Sequence, residues 1–154
     1  MSNSLKIIAF TLNGLSFGIA LELVERVVRM VEITPLPESP PVVLGVINVQ
    51  GEIVPVLDLR QRFGLTPQSI DPSDQLILTR CGGRRLALRT EGLCRVHECP
   101  ADTWTRATDI LPDLPFLTGV AKAPDGLILI HDLERLLRSD EVLLIQEAFE
   151  QECL

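Results

Sequence analysis

Gly14-Leu15-Ser16-Phe17-Gly18 has the G-x-S-x-G spacing of a serine-hydrolase nucleophile elbow, and His131 and several aspartates follow downstream. Such an elbow needs its serine on a strand-to-helix turn of a large parallel sheet, whereas Asn13-Gly14 between two apolar runs predicts a hairpin turn. The motif reads as that hairpin, with a small esterase using Ser16 as the alternative. Cys94, His97 and Cys99 form C-x2-H-x-C, three soft ligands in six residues. A fourth ligand would have to come from Cys81, His131 or Cys153 by folding, and the spacing is not that of a structural zinc site. The expectation is a strand with partly buried thiols and no metal. His131, at the end of an apolar run, is read as a packed and hydrogen-bonded histidine rather than a general base or phosphoacceptor. Asp58 and Asp132 each precede a short helical stretch, where a carboxylate that accepts orphan backbone N–H groups is worth about 1 kcal/mol. Capping is therefore preferred to an acid–base pair, since no activated water, metal cage or phosphate loop accompanies them. No enzymatic activity and no cofactor are expected. Arg80, Arg84, Arg85, Arg89 and Arg95 cluster along one hairpin, as a solvated face or as a docking patch.

The elements that must carry these residues are strands. Turn chemistry at Asn13-Gly14, Gln50-Gly51, Gly82-Gly83 and Asp125-Gly126 separates apolar runs, because tight primed turns demand positive φ. Eight strands in four hairpins are the minimum reading. Short helices are expected around Ala20 to Val28, at Leu59 to Phe63, and over Leu133 to Arg138, running into a C-terminal helix from about Asp140 to Gln151. An internal repeat is visible: Gly45-Val46 stands before Asp58-Leu59 at the same spacing as Gly119-Val120 before Asp132-Leu133. Two related small barrels, each closed to hide its strand edges, explain that pattern, with the halves meeting near Leu65 to Asp74. Pro35 to Pro41 reads as a surface connection, and Pro55 as an edge or bulge residue.

Composition narrows the function. The 154 residues are 46% hydrophobic and 23% charged, enough for one ordinary core or two small ones sharing an interface. With 21 acidic against 14 basic side chains the formal charge is −7, and five Phe, one Trp and no Tyr leave few stacking platforms. Nucleic acid is excluded as an expected partner on both counts. The first residues carry no signal-peptide pattern, and no apolar run approaches the roughly 20 residues that span a bilayer. A cytoplasmic protein is expected, its cysteines reduced and any membrane association made through a partner.

The most informative stretch is Leu44 to Arg60, LGVINVQGEIVPVLDLR, two β-branched runs around Gln50-Gly51 that end on a helix-capping aspartate. Together with IIAFTLNGLSFGIAL before it and LTGVAKAPDGLILIHDLERLL after it, this stretch resembles the CheW family of bacterial chemotaxis adaptors. The resemblance implies an all-β fold of two five-stranded SH3-like barrels with short helices and a C-terminal helix, forming one CheW-like domain over residues 1–154. It implies two strands beyond the eight counted. It also implies a non-enzymatic, stand-alone coupler that binds the regulatory domain of a CheA-type histidine kinase and the cytoplasmic tip of a methyl-accepting chemoreceptor, the latter in a groove between the barrels. The kinase-facing residues are not identified by it.

Two departures from the family pattern bear on the receptor surface. The family usually carries Asn-Leu-Arg-Gly at the central turn, whereas this chain has Asn48-Val49-Gln50-Gly51. A family helix carries Val and, two positions on, a receptor-facing Glu; the matching places here are Val24 and Arg26. Val24, Arg26, Asn48, Gln50 and Gly51 are thus the expected receptor-binding residues, with an altered charge code. An adaptor of a divergent chemosensory pathway that controls something other than motility is the other reading.

Overall fold

Alternating apolar runs punctuated by glycine turns give ten strands among the described residues, which in this computed structural model are 4–81, 83–112 and 116–137. They are β1 (Leu5–Leu12), β2 (Leu15–Ala20), β3 (Val24–Arg29), β4 (Val43–Val49), β5 (Glu52–Leu57), β6 (Gln75–Cys81), β7 (Arg84–Cys99), β8 (Trp104–Arg106), β9 (Leu117–Ala123) and β10 (Gly126–His131). Two short helices follow hairpins, α1 (Leu59–Arg62) and α2 (Leu133–Leu137). The expected C-terminal helix from about Asp140 lies outside the described residues.

The strands close into two barrels of the same plan. In one, β5 runs parallel to the first half of β7, which pairs with β6, which pairs with β3. The chain beyond β3 then reaches β4 through a Thr34–Val46 bridge with two backbone hydrogen bonds of 2.9 Å, and β4 returns to β5. In the other, β10 runs parallel to β2, which pairs with β1, which pairs with the second half of β7. Beyond β7 the chain reaches β9 through β8, and β9 returns to β10. The internal repeat now has a physical meaning. A Cβ built on Gly45 would stand 2.2 Å from the Thr34 carbonyl oxygen, and one on Gly119 would stand 2.5 Å from the Thr105 carbonyl oxygen. Each glycine lets the closing strand cross at backbone contact. The capping aspartates match too: Asp58 Oδ1 accepts the Arg60 N–H at 3.1 Å and Asp132 Oδ1 the Arg135 N–H at 3.2 Å.

Two expectations need correction. The stretch Ala20 to Val28 is not a helix: a 3-10 turn at Leu21–Leu23 leads straight into β3, where β-branched Val24, Val27 and Val28 suit a pleated strand better than a helix. The ten strands among the described residues are the counted eight plus the two that the resemblance implies, β3 and the three-residue β8, which have no hairpin turn of their own. The barrels are also not N- and C-terminal halves. Residues 65–74 join α1 to β6 inside one barrel, and the chain changes barrel between β2 and β3 and again within β7, near Thr90–Glu91.

Three buried clusters follow from this closure. Ile7, Ala9, Ala121, Ile128 and Ile130 fill one barrel, and Ile47, Val54, Val56, Leu76 and Leu78 fill the other. A larger cluster lies between them, with Phe10, Leu12, Phe17 and Ile19 from one barrel against Leu57, Leu59, Ile77 and Leu88 from the other. Neighbouring residues of β1 and β6 supply both an intrabarrel and the shared core, so these strands are buried on both faces.

Candidate functional site

The β4–β5 hairpin turns on Gln50 (φ 51°) and Gly51 (φ 90°), a two-residue primed turn that matches the strand twist. Asn48 braces it, its Oδ1 accepting the Gly51 N–H at 2.8 Å. Asn48, Gln50 and Gly51 are all exposed, so the tip is pre-formed and presented to solvent. On the same barrel, Val24 faces Thr79 and Arg26 faces Leu78, which leaves Glu25 as the extra residue of a β-bulge. Val24 is half-buried and packs against the shared core, so its side chain has a structural role. Arg26 is exposed and makes no ion pair among the described residues.

An ion-pair network links these two segments. The Glu25 carboxylate accepts from Arg85 Nε at 3.0 Å and Nη2 at 2.9 Å, and from Arg80 Nε at 3.1 Å. Arg85 Nη1 donates to Glu52 Oε2 at 2.6 Å, the residue after Gly51. The Arg85 hydrogen bond, helped by the nearby arginine charges, holds the Glu25 carboxyl below its ordinary range despite an opposing desolvation effect. Hydrogen bonds to Glu25 and Glu52 raise the Arg85 guanidinium in turn. The structure thus brings the sequence-derived residues onto neighbouring parts of one barrel, and what they offer is shape and fixed charge.

The residues that resembled catalytic or metal-binding groups are dispersed. Ser16 sits in β2, between Thr11 of β1 and Ile128 of β10, and the G-x-S-x-G stretch spans a hairpin turn and its outgoing strand. His131 is held against Phe17 and Phe63, with ring centroids 5.5 and 4.5 Å away, and its Nδ1 lies 3.2 Å from the Leu129 carbonyl oxygen. Burial pushes its pKa down, opposed by that carbonyl, and the net shift favours the neutral imidazole. Cys94 lies 3.3 Å from the Thr90 hydroxyl and Cys99 is buried; desolvation raises both thiols. Among the described residues no three His, Cys, Asp or Glu side chains gather to hold a metal.

The arginine cluster is neither simply a solvated face nor a single patch, and its most consequential member is inside. Arg89, 1% exposed, donates to Asp74 Oδ2 at 3.0 Å, Asp58 Oδ2 at 3.3 Å and the carbonyls of Gln68 and Ser69 at 2.8 and 2.6 Å. Asp58 also lies 3.7 Å from buried Arg60, which bonds Glu91 and donates to the Asn13 side chain at 2.9 Å. This buried chain of charges crosses from one barrel to the β1–β2 turn of the other. Burial alone would raise Glu91, yet the Asn13 N–H and the Arg60 guanidinium bring it below its ordinary value. In the sequence Arg89 reads as surface charge and Asp58 as a cap alone. The available signal was the unbroken apolar run Leu86, Ala87, Leu88, which Arg89 extends inside a strand buried there on both faces.

A CheW-like domain model matches residues 6–141. The chain belongs to the CheW family. It is 28% identical over 138 residues to the chemotaxis protein CheW of Klebsiella aerogenes, covering 88% of this chain and 83% of that one. The Thermotoga maritima chemotaxis protein CheW is 31% identical over 135 residues, covering 86% and 87%. The crystal structure of the scaffolding protein TtCheW from Thermoanaerobacter tengcongensis superposes with a TM-score of 0.75 at 30% identity, covering 89% of this chain and 94% of that one. CheW proteins are non-enzymatic scaffold adaptors of chemotaxis, and this chain is one of that family. No helix among the described residues is long and apolar enough to cross a membrane.

Proposed function

We propose that this CheW-family chain is a single-domain cytoplasmic adaptor that couples a CheA-type histidine kinase to the cytoplasmic tip of a methyl-accepting chemoreceptor and joins receptor arrays only through those partners. The receptor would meet Val24, Arg26, Asn48, Gln50 and Gly51. The observation that supports this reading best is the Glu25–Arg85–Glu52 bridge, which ties the strand bearing Val24 and Arg26 to the base of the exposed β4–β5 turn. Such a surface recognises a rigid coiled-coil tip by an apolar contact at Val24 and by charge at Arg26.

Calorimetry of Arg26→Glu against receptor-tip and kinase regulatory-domain fragments tests it. Receptor affinity should fall by about 1–3 kcal/mol, less at high salt, while kinase binding is kept and fold stability stays within about 0.5 kcal/mol. Unchanged receptor affinity would remove these residues from the site. A second reading, an adaptor of a divergent non-motility pathway, is favoured by Arg26 and Gln50 standing where family members usually carry Glu and Arg. Recovery of a kinase and receptor of such a pathway from native lysate, with none from the motility pathway, would decide for it.

A further inference from the structure

Arg80 and Arg85 stand directly opposite one another on β6 and β7, a like-charge cross-strand pair that by itself weakens a sheet. Glu25 relieves that repulsion by accepting from both, and it does so from the bulge between Val24 and Arg26. A bulge aims the side chains beside it, and the anchor of this one is a carboxylate whose position depends on Arg85. Arg85 binds Glu25 in a two-point fork through Nε and Nη2 and spends its remaining nitrogen on Glu52, two residues from Gln50. Its side chain is 12% exposed, against 56% for Arg80, 54% for Glu52 and 28% for Glu25. The guanidinium is therefore the shielded centre of the network and its carboxylate partners the more open rim. A planar group with donors along two edges can hold two carboxylates at once, which an ammonium cannot do with the same geometry.

We infer that Arg85 is the positioning residue of the partner-binding surface, fixing the bulge that aims Val24 and Arg26 and the hairpin tip that carries Asn48 and Gln50 into one rigid arrangement. The inference rests on the surface assignment made above. Arg85 itself need not touch the partner. Its contribution is that the surface is set before binding, so that ordering of the two segments is not charged against affinity. Arg26 is then an exposed cation of that surface with no ion pair among the described residues, which suits an acidic partner segment.

The test uses the full chain as Arg85→Met, Arg85→Lys and Arg26→Glu, with a receptor-tip fragment as the probe. Affinity is read by calorimetry, the thermal midpoint by circular dichroism, and amide hydrogen exchange at residues 24–26 and 50–52 in the free protein. Arg85→Met should weaken binding on the order of tenfold and speed exchange at both segments together, with the thermal midpoint nearly unchanged. Arg85→Lys, which keeps the charge and loses the fork, should restore only part of the affinity. If Arg85→Met binds as tightly as the parent while Arg26→Glu binds weakly, the positioning role is overturned and the surface assignment stands. If neither variant loses affinity, the surface assignment itself fails. A fall in affinity matched by general loss of stability, with no recovery in Arg85→Lys, would reduce Arg85 to a structural residue and also overturn the inference.

Discussion

Replacing Arg89 by methionine should be among the most destabilising single changes outside the apolar core. The side chain is 1% exposed and satisfies two carboxylates and two carbonyls, and the side chains of Asp74 and Asp58 are themselves only 5% and 10% exposed. Methionine fills much the same volume, so the loss is electrostatic rather than a cavity. Asp74 would keep the Asp71 N–H at 3.0 Å, and Asp58 would keep Arg60 at 3.7 Å, so neither carboxylate is wholly abandoned. Removing one partner of a buried ion pair costs about 3–5 kcal/mol, a large share of the roughly 5–15 kcal/mol that holds a domain folded. The expected loss is about 3–4 kcal/mol, at the lower side of that range because both carboxylates retain a contact. Urea unfolding followed by Trp104 fluorescence and circular dichroism measures it. Because the penalty comes from stranded charge, Arg89→Met with Asp74→Asn should recover part of the loss. A single-variant loss below about 1 kcal/mol, or a double variant no more stable than the single, would refute the reasoning.

The barrel-closing glycine and the half-buried histidine give two further tests. Gly45→Ala places a Cβ against the Thr34 backbone at a φ of +149°, so it should cost more than about 2 kcal/mol in urea unfolding; Gly51→Ala, with no atom within 4 Å of its Cβ, should cost less. His131 has a folded pKa lowered from 6.5 by burial, so the unfolded chain takes up its proton first. Stability should therefore decline as pH falls below about 6.5 and level off below the folded pKa, and His131→Phe should flatten this part of the urea-midpoint profile between pH 7.5 and 5. An unchanged slope in the variant would show that His131 does not contribute it.

Much of the architecture was local and therefore readable in the chain. Asn13-Gly14 is a turn because Asn and Gly adopt positive φ with little strain, Gly51 gives the Gln50-Gly51 turn one such residue, and Asp58 and Asp132 cap because a short carboxylate reaches the first free N–H groups of a helix. The Gly-Val…Asp-Leu repeat likewise announced two barrels of one plan. What depended on distant segments was not legible. Val24 to Arg29 becomes a strand because β6 offers it a register, and β7 serves both barrels because its two halves meet different partners. Arg89 is a core residue only because Asp58, Asp74 and two carbonyls converge on it from 15 to 31 positions away in the chain. The residues of the candidate surface were named from the chain, but the Glu25–Arg85–Glu52 bridge joins positions 33 and 60 residues apart. Backbone preference acts between near neighbours, so sequence reports it directly; charge pairing acts through space, so only the closed barrels decide which arginine is buried, which is clamped and which is left exposed.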